Sequence, residues 1–320
     1  MPKKIMNQVK HILVFFLLLV GIAACRKRDP AGLFPAKTNP AATPTHTPTP
    51  TPTPNPTPNP GTVPTPDHVV VLIMENHSYS QVIGSSSAPY ITALASAANS
   101  TSFISSYAIE HPSQPNYLDL YSGNNQGVTD DEVPAGIPFT TPNLGRQLLD
   151  SGMTFTTFSE DLPSVGYNGA TSGQYARKHN PAANWMGTGK NQIPATTNQP
   201  LTAFPGDFTK LPTVAFVVPN LINDIHDGTV AQGDSWVKNN FDAYIQWAKT
   251  HNSVLILTFD EDDNNHKNQI PTIFSGQHVK TLQDATNITH YSVLRTIEEI
   301  YHLPYIGNAT NATTIVDCWQ

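Results

Sequence analysis

The chain has 320 residues, 17 of them Lys or Arg and 24 Asp or Glu, for a formal net charge of −7. Seven of the cations precede residue 38, so ten remain against 23 acids from there on. That balance excludes nucleic acid as the main partner, because binding a phosphate backbone needs clustered Lys and Arg. With two cysteines, one of them at position 25, no disulfide framework is expected.

The first 25 residues, "MPKKIMNQVKHILVFFLLLVGIAAC", join a basic start (Lys3, Lys4, Lys10) to an unbroken apolar run at 12–20. That run is shorter than the roughly 20 residues needed to span a bilayer, and it reads as a secretory leader. The ending "GIAAC" resembles a bacterial lipobox, which would lipidate Cys25. The mature protein is then expected as a lipoprotein of the cell envelope, anchored at Cys25 and facing outside the cytoplasm; an ordinary cleaved leader would leave it secreted. Residues 26–66 are dominated by Pro, Thr, Asn and Ala, with "TPTPTPTPNPTPNP" at the centre. Proline fixes φ and removes amide donors, so this stretch reads as an extended, disordered linker with no core of its own. Residues 67–320 are enough for one domain with a sizeable core, expected as a monomer.

Along that domain, "DHVVVLIMEN" is a continuous apolar run ending in polar residues, the pattern of a parallel strand buried on both faces. A helix in "APYITALASAAN", a strand in "TSFISSYAI", a short helix in "NLGRQLLDSG" and a strand in "MTFTTFSED" follow. Residues 162–185, rich in Gly, Asn and Ser, read as a long loop. Next come the strand "PTVAFVVPN", the amphipathic helix "GDSWVKNNFDAYIQWAKTH", the strand "SVLILTFDED", a weaker strand in "QIPTIFSG", and a helix in "THYSVLRTIEEIYHL" with Thr289 as its cap. Alternating strands and helices predict an α/β fold, a three-layer α/β/α sandwich around a mostly parallel sheet.

The best strands carry their polar residues at their carboxyl ends: Glu75 and Asn76, then Asn220 followed by "DIHDG", then "DEDD" at 260–263. Ligands of open α/β sheets bind at that edge. Several carboxylates converging there would repel one another, and their hard oxygens suit Mg²⁺, Ca²⁺ or Mn²⁺. Between these strands lies "EHPSQPNYLDLYSG", residues 110–123. Ser113 reads equally well as the cap that starts a helix and as a nucleophile in the positive field of that helix's N-terminus.

The stretches "VVVLIMENHSYSQVIG", "HPSQPNYLDLYSG", "YARKHNPAANW", "VPNLINDIHDG", "GDSWV", "LTFDEDD" and "THYSVLRTIEEIYHLP", in that order over residues 69–303, resemble bacterial secreted acid phosphatases of the phosphoesterase family. That family also holds phospholipases C, and its fold is that of the alkaline phosphatase superfamily. The resemblance implies hydrolysis of phosphate monoesters, phosphoinositide headgroups among them, through a phosphoserine intermediate. It implies one divalent metal ion (Mg, Mn, Ca or Zn) held by Glu75, Asn76, Ser113, Asp260 and Glu261. Ser113 would be the nucleophile, and His179 and His226 would contact the phosphoryl oxygens or protonate the leaving group. His111, Asn116, Arg177 and Lys178 are the implied substrate-binding residues, while His290 serves either the site or its helix start. Some family members have Asp where this chain has Glu261. A phospholipase C-type phosphodiesterase and a non-catalytic surface binding protein are the alternative readings; the compact domain favours the monoesterase over the first, and polar residues at three strand ends favour catalysis over the second.

Overall fold

The computed structural model describes residues 63–320. The expected leader at 1–25 and most of the Pro/Thr linker lie outside the described residues. The linker's last four residues belong structurally to the domain: Pro64 and Pro66 are buried, Val63 packs on the core, and the Tyr301 hydroxyl donates to the Pro66 carbonyl.

Among the described residues twelve strands occur in chain order: β1 (His68–Met74), β2 (Ser100–Phe103), β3 (Ser106–Tyr107), β4 (Phe155–Ser159), β5 (Thr171–Ser172), β6 (Tyr175–Ala176), β7 (Asn198–Pro200), β8 (Val214–Val218), β9 (Ser253–Phe259), β10 (Thr272–Gly276), β11 (Leu282–Asp284) and β12 (Ile288–Thr289). Six α-helices accompany them: α1 (Tyr79–Val82), α2 (Pro89–Ala95), α3 (Ser113–Ser122), α4 (Leu144–Asp150), α5 (Val230–Ala248) and α6 (His290–Ile300). Eight strands form one sheet in the order β11-β2-β10-β9-β1-β8-β4-β7. From β9 to β7 every pairing is parallel; β10 runs antiparallel to both β9 and β2. The predicted α/β sandwich with a mostly parallel sheet is therefore the observed architecture, and the weak strand of "QIPTIFSG" is its antiparallel member.

Period-two alternation along β1 explains the layers. Val69, Val71 and Ile73 point to the face that also buries Tyr117 and Leu118 of α3, Leu144 of α4 and Leu294 of α6. Val70, Leu72 and Met74 point to the other, with Ile91 of α2 and Phe241 and Ile245 of α5. Each such Val or Leu contributes about 1.5–3 kcal/mol by leaving water, so a charge at Val71 would cost more than one core contact. The long helix α5 starts where Thr229 and Gln232 cap each other: Thr229 N donates to Gln232 Oε1 at 2.8 Å, and Gln232 N to Thr229 Oγ1 at 3.3 Å.

Two expectations need amendment. The stretch "TSFISSYAI" forms two strands, β2 and β3, which sit in different sheets. The long loop at 162–185 contains the small hairpin β5–β6 and two short 3₁₀ turns, Arg177–His179 and Pro181–Trp185. These turns bring Arg177, Lys178 and His179 to the carboxyl edge of the sheet.

Candidate active site

The three adjacent parallel strands β9, β1 and β8 end at one edge. Glu75 follows β1, Asp260 and Glu261 follow β9, and Asp224 lies in the turn after β8. The main chain ties these ends together: Asp260 N donates to the Met74 carbonyl and Glu75 N to the Asp224 carbonyl. Asn76 takes part through its backbone amide, which donates to Asp260 Oδ1 at 3.0 Å.

Helix α3 brings the serine to that edge. Pro112 occupies the cap position and offers no side-chain hydrogen bond of its own, and Ser113 is the first helical residue. The Ser113 hydroxyl lies 3.0 Å from Glu75 Oε2 and 3.1 Å from Glu261 Oε1. Ser113 is therefore not the cap of its helix, and its hydroxyl faces acidic side chains. At the other end, Gly123 stops α3 with φ +69°, and a Cβ there would sit 2.4 Å from the Ile306 carbonyl oxygen, so only glycine fits. One turn beyond Ser113, Tyr117 donates its hydroxyl to Glu75 Oε1 at 2.6 Å.

Charge is the unusual feature of this cluster. Burial, and then the Asp260 and Asp224 charges, push the Glu75 carboxyl well above its ordinary range. Burial and then Glu261 do the same to Asp260. Burial also raises Glu261, although His111 works against it through Nδ1 on Glu261 Oε2. Asp260 Oδ2 is buried with no hydrogen-bond partner. Repelling carboxylates around an orphaned oxygen are the donor set a divalent cation would satisfy. A second grouping shares Glu75: one ligand atom each from Glu75, His179 and His226 lies within 4.8 Å of the others. The chain therefore has residues fit to hold a metal.

The histidines form the next layer. His179 is buried and stacks on Tyr117 with ring centroids 5.3 Å apart. Its Nδ1 lies 3.0 Å from Asp224 Oδ2. Its Nε2 lies 3.1 Å from Glu75 Oε1 but out of line for a hydrogen bond, leaving that nitrogen unpartnered. Burial, then the Lys178 charge, hold His179 well below its ordinary pKa, and burial raises Asp224. His226 takes a hydrogen bond from Lys178 Nζ at Nε2 (3.0 Å) and places Nδ1 2.7 Å from Asp227 Oδ1. Lys178 also donates to Asp131 Oδ2 at 2.9 Å. Beside this pair opens a cavity of about 240 Å³, lined among others by Gln114, Asp131, Glu132, Leu221 and His226.

Several residues expected to meet substrate are committed elsewhere. Asn116 is a correction: its Oδ1 accepts from the Ile109 and Glu110 amides, and its Nδ2 donates to the Glu110 and Pro112 carbonyls. A short amide one turn into the helix is better placed to fix the preceding loop than to reach a ligand. Arg177 is partly committed: its buried guanidinium donates to Asn168 Oδ1 and the Ala183 carbonyl, while Nη1 has no partner among the described residues and the residue lines the cavity. His111 serves Glu261, with Nε2 3.4 Å from Asp262 Oδ1. His290 contacts the Asp260 carbonyl at 2.6 Å through Nε2, and burial lowers its pKa to about 4, so it supports the strand end as a neutral ring.

Tyr117, Asp131 and Asp224 are site residues that the sequence reading missed. Tyr117 was findable, because i+4 from Ser113 shares its helix face. Asp224 stood in "DIHDG", masked by the histidine that drew attention. Nothing local marked Asp131, whose role depends on a loop returning to α3.

Residues 86–304 match the Phosphoesterase family. Over 259 residues the chain is 47% identical to a phosphatidylinositol-3-phosphatase of Mycobacterium tuberculosis, covering 80% of this chain and 84% of that one. It is 33% identical to an acid phosphatase of Aspergillus fumigatus over 63% of this chain, which spans about half (48%) of that relative's length. Among solved structures, a protein of the alkaline phosphatase superfamily from Vibrio parahaemolyticus superposes with a TM-score of 0.54 at 13% identity, over 80% of this chain and 72% of that one, a likeness of fold. The chain belongs to the Phosphoesterase family and is a phosphoric ester hydrolase of alkaline-phosphatase-like fold.

Proposed function

We propose that the protein hydrolyses phosphate monoesters through Ser113 in a metal-dependent reaction. The observation that carries this reading is the buried Ser113 hydroxyl within 3.1 Å of two carboxylates whose charges burial disfavours. Glu75, Asn76, Ser113, Asp260 and Glu261 would hold the cation, with His179 Nε2 as a nitrogen donor beside them. When bound, such a cation draws charge off the phosphoryl oxygens and lowers the pKa of the serine hydroxyl.

The chain's own residues supply the rest. Glu261 or Glu75 takes the Ser113 proton as Oγ bonds to phosphorus in line with the leaving oxygen. The Lys178–His226 pair faces the cavity and delivers a proton to that oxygen as its bond to phosphorus breaks. Water then cleaves the phosphoserine, releasing inorganic phosphate and restoring the hydroxyl. Asp224 holds His179 and, through the His226 amide, the turn that carries His226.

The inferred substrates are small monoesters, phosphoinositide headgroups among them, because the relative sharing 47% identity is named for one. The leader and Cys25 support an anchored position on the outer side of a bacterial envelope. Phosphate release from p-nitrophenyl phosphate by the full chain tests the reading. Chelation should abolish turnover and one divalent ion should restore it; undiminished turnover in excess chelator would remove the metal from the mechanism.

A further inference from the structure

The first turn of α3 and the Lys178 side chain present the donors best placed to bind a phosphoryl group beside Ser113. Both are already holding an anion that belongs to the chain. Asp131 Oδ1 accepts from the Gln114 amide, next to the nucleophile, at 3.0 Å, and Oδ2 accepts from Lys178 Nζ at 2.9 Å. The arrangement is built from both sides. Gln114 Nε2 donates to the Asp130 carbonyl at 2.9 Å and the Glu132 carbonyl at 2.7 Å, clamping the loop on either flank of Asp131. Gly127 and Gly136, at φ +77° and +79°, turn the chain out to this loop and back. Asp131 is itself half-buried on the wall of the 240 Å³ cavity that also exposes Lys178 and His226.

We propose that Asp131 is a specificity-determining residue that competes with the substrate for Lys178 and the Gln114 amide. A dianionic monoester carries enough charge to displace one carboxylate, and a monoanionic diester does not. The residue thereby selects monoesters at the expense of affinity, and it weakens retention of product phosphate. This inference rests on the Ser113 reading above, since it places the phosphoryl group beside that hydroxyl.

The test uses the full chain with its restored metal and three probes: p-nitrophenyl phosphate, bis(p-nitrophenyl) phosphate and inorganic phosphate as inhibitor. Asp131→Asn keeps an oxygen for the Gln114 amide and removes the charge; Asp131→Ala removes the ligand. Loss of one charge-assisted competitor should tighten phosphate inhibition and lower the monoester KM by about tenfold. A KM and a phosphate constant that fall together, whatever kcat does, are an effect that mere loss of loop structure does not produce. The diester should gain more than the monoester in kcat/KM. In a Lys178→Gln background the Asp131→Asn gain should shrink, because the contested donor is gone. A raised or unchanged KM and phosphate constant in both Asp131 variants would overturn the proposal and leave Asp131 as a support for Lys178. That failure is distinct from failure of the Ser113 reading, in which Ser113→Ala would retain the activity of the parent chain.

Discussion

The carboxylate centre and the cavity rim adjoin, yet they are built by opposite means. In the centre, Glu75, Ser113 and Asp260 are each no more than 1% exposed and stand on strand ends or a helix start. In the rim, the side chains of Lys178, His226 and Asp131 are 19%, 27% and 33% exposed and come from loops and turns. Like charges buried together raise one another's pKa and call for a counter-cation. Opposite charges at a wet surface pair weakly and exchange partners at small cost. The centre is therefore suited to holding a fixed ion and a nucleophile, and the rim to contacts that break and reform as substrate enters.

The largest expected effect breaks the centre alone. Ser113→Ala should lower turnover by about 10⁴-fold or more while leaving the thermal unfolding midpoint nearly in place. Survival of activity would move the chemistry out of the centre. An intermediate effect probes the joint between the regions. Asp224→Asn loosens His179 on the inner side and the His226 turn on the outer, and kcat/KM should fall by roughly 10²-fold. A change in stability with unaltered kcat/KM would show that the histidines need no such anchor.

The smallest effect sharpens the comparison with a buried acid that has no part in catalysis. Glu298, in α6, accepts the Ile306 amide, and burial raises its carboxyl from 4.5 to about 8. The folded protein keeps a proton there that the unfolded chain releases above pH 4.5. Its contribution is therefore most favourable below pH 4.5, falls as pH rises towards 8, and is level beyond that. Stability should fall across this window, and Glu298→Gln should flatten that fall in denaturant titrations at pH 5 and pH 8. An identical slope in that variant would assign the pH dependence to the centre instead.

Much of this was legible in the sequence because it is local. Continuous apolar runs mark buried parallel strands, and the acids at their ends mark the edge where a site forms; Glu75, Asp260 and Glu261 are readable on those terms. The ordered motifs around Ser113 carried the family resemblance as well. What the chain does locally could not separate a cap from a nucleophile at Ser113, because both uses favour serine at a helix start. Only the tertiary fold removed the cap reading, by putting Pro112 at the cap position and setting β1 and β9 side by side so that Glu75 and Glu261 reach the Ser113 hydroxyl. The same holds for Asn116, Arg177 and His111, whose residue types suit a phosphate but whose partners within the chain are backbone groups, a side-chain amide and carboxylates. Asp131 is the clearest case: it comes 18 residues after Ser113 in a loop without a motif, and its meaning arises only where that loop folds back onto α3 and Lys178. Periodicity and end-of-strand chemistry are written along the chain, whereas the partner of each polar atom is set by which distant segments packing brings within hydrogen-bond reach.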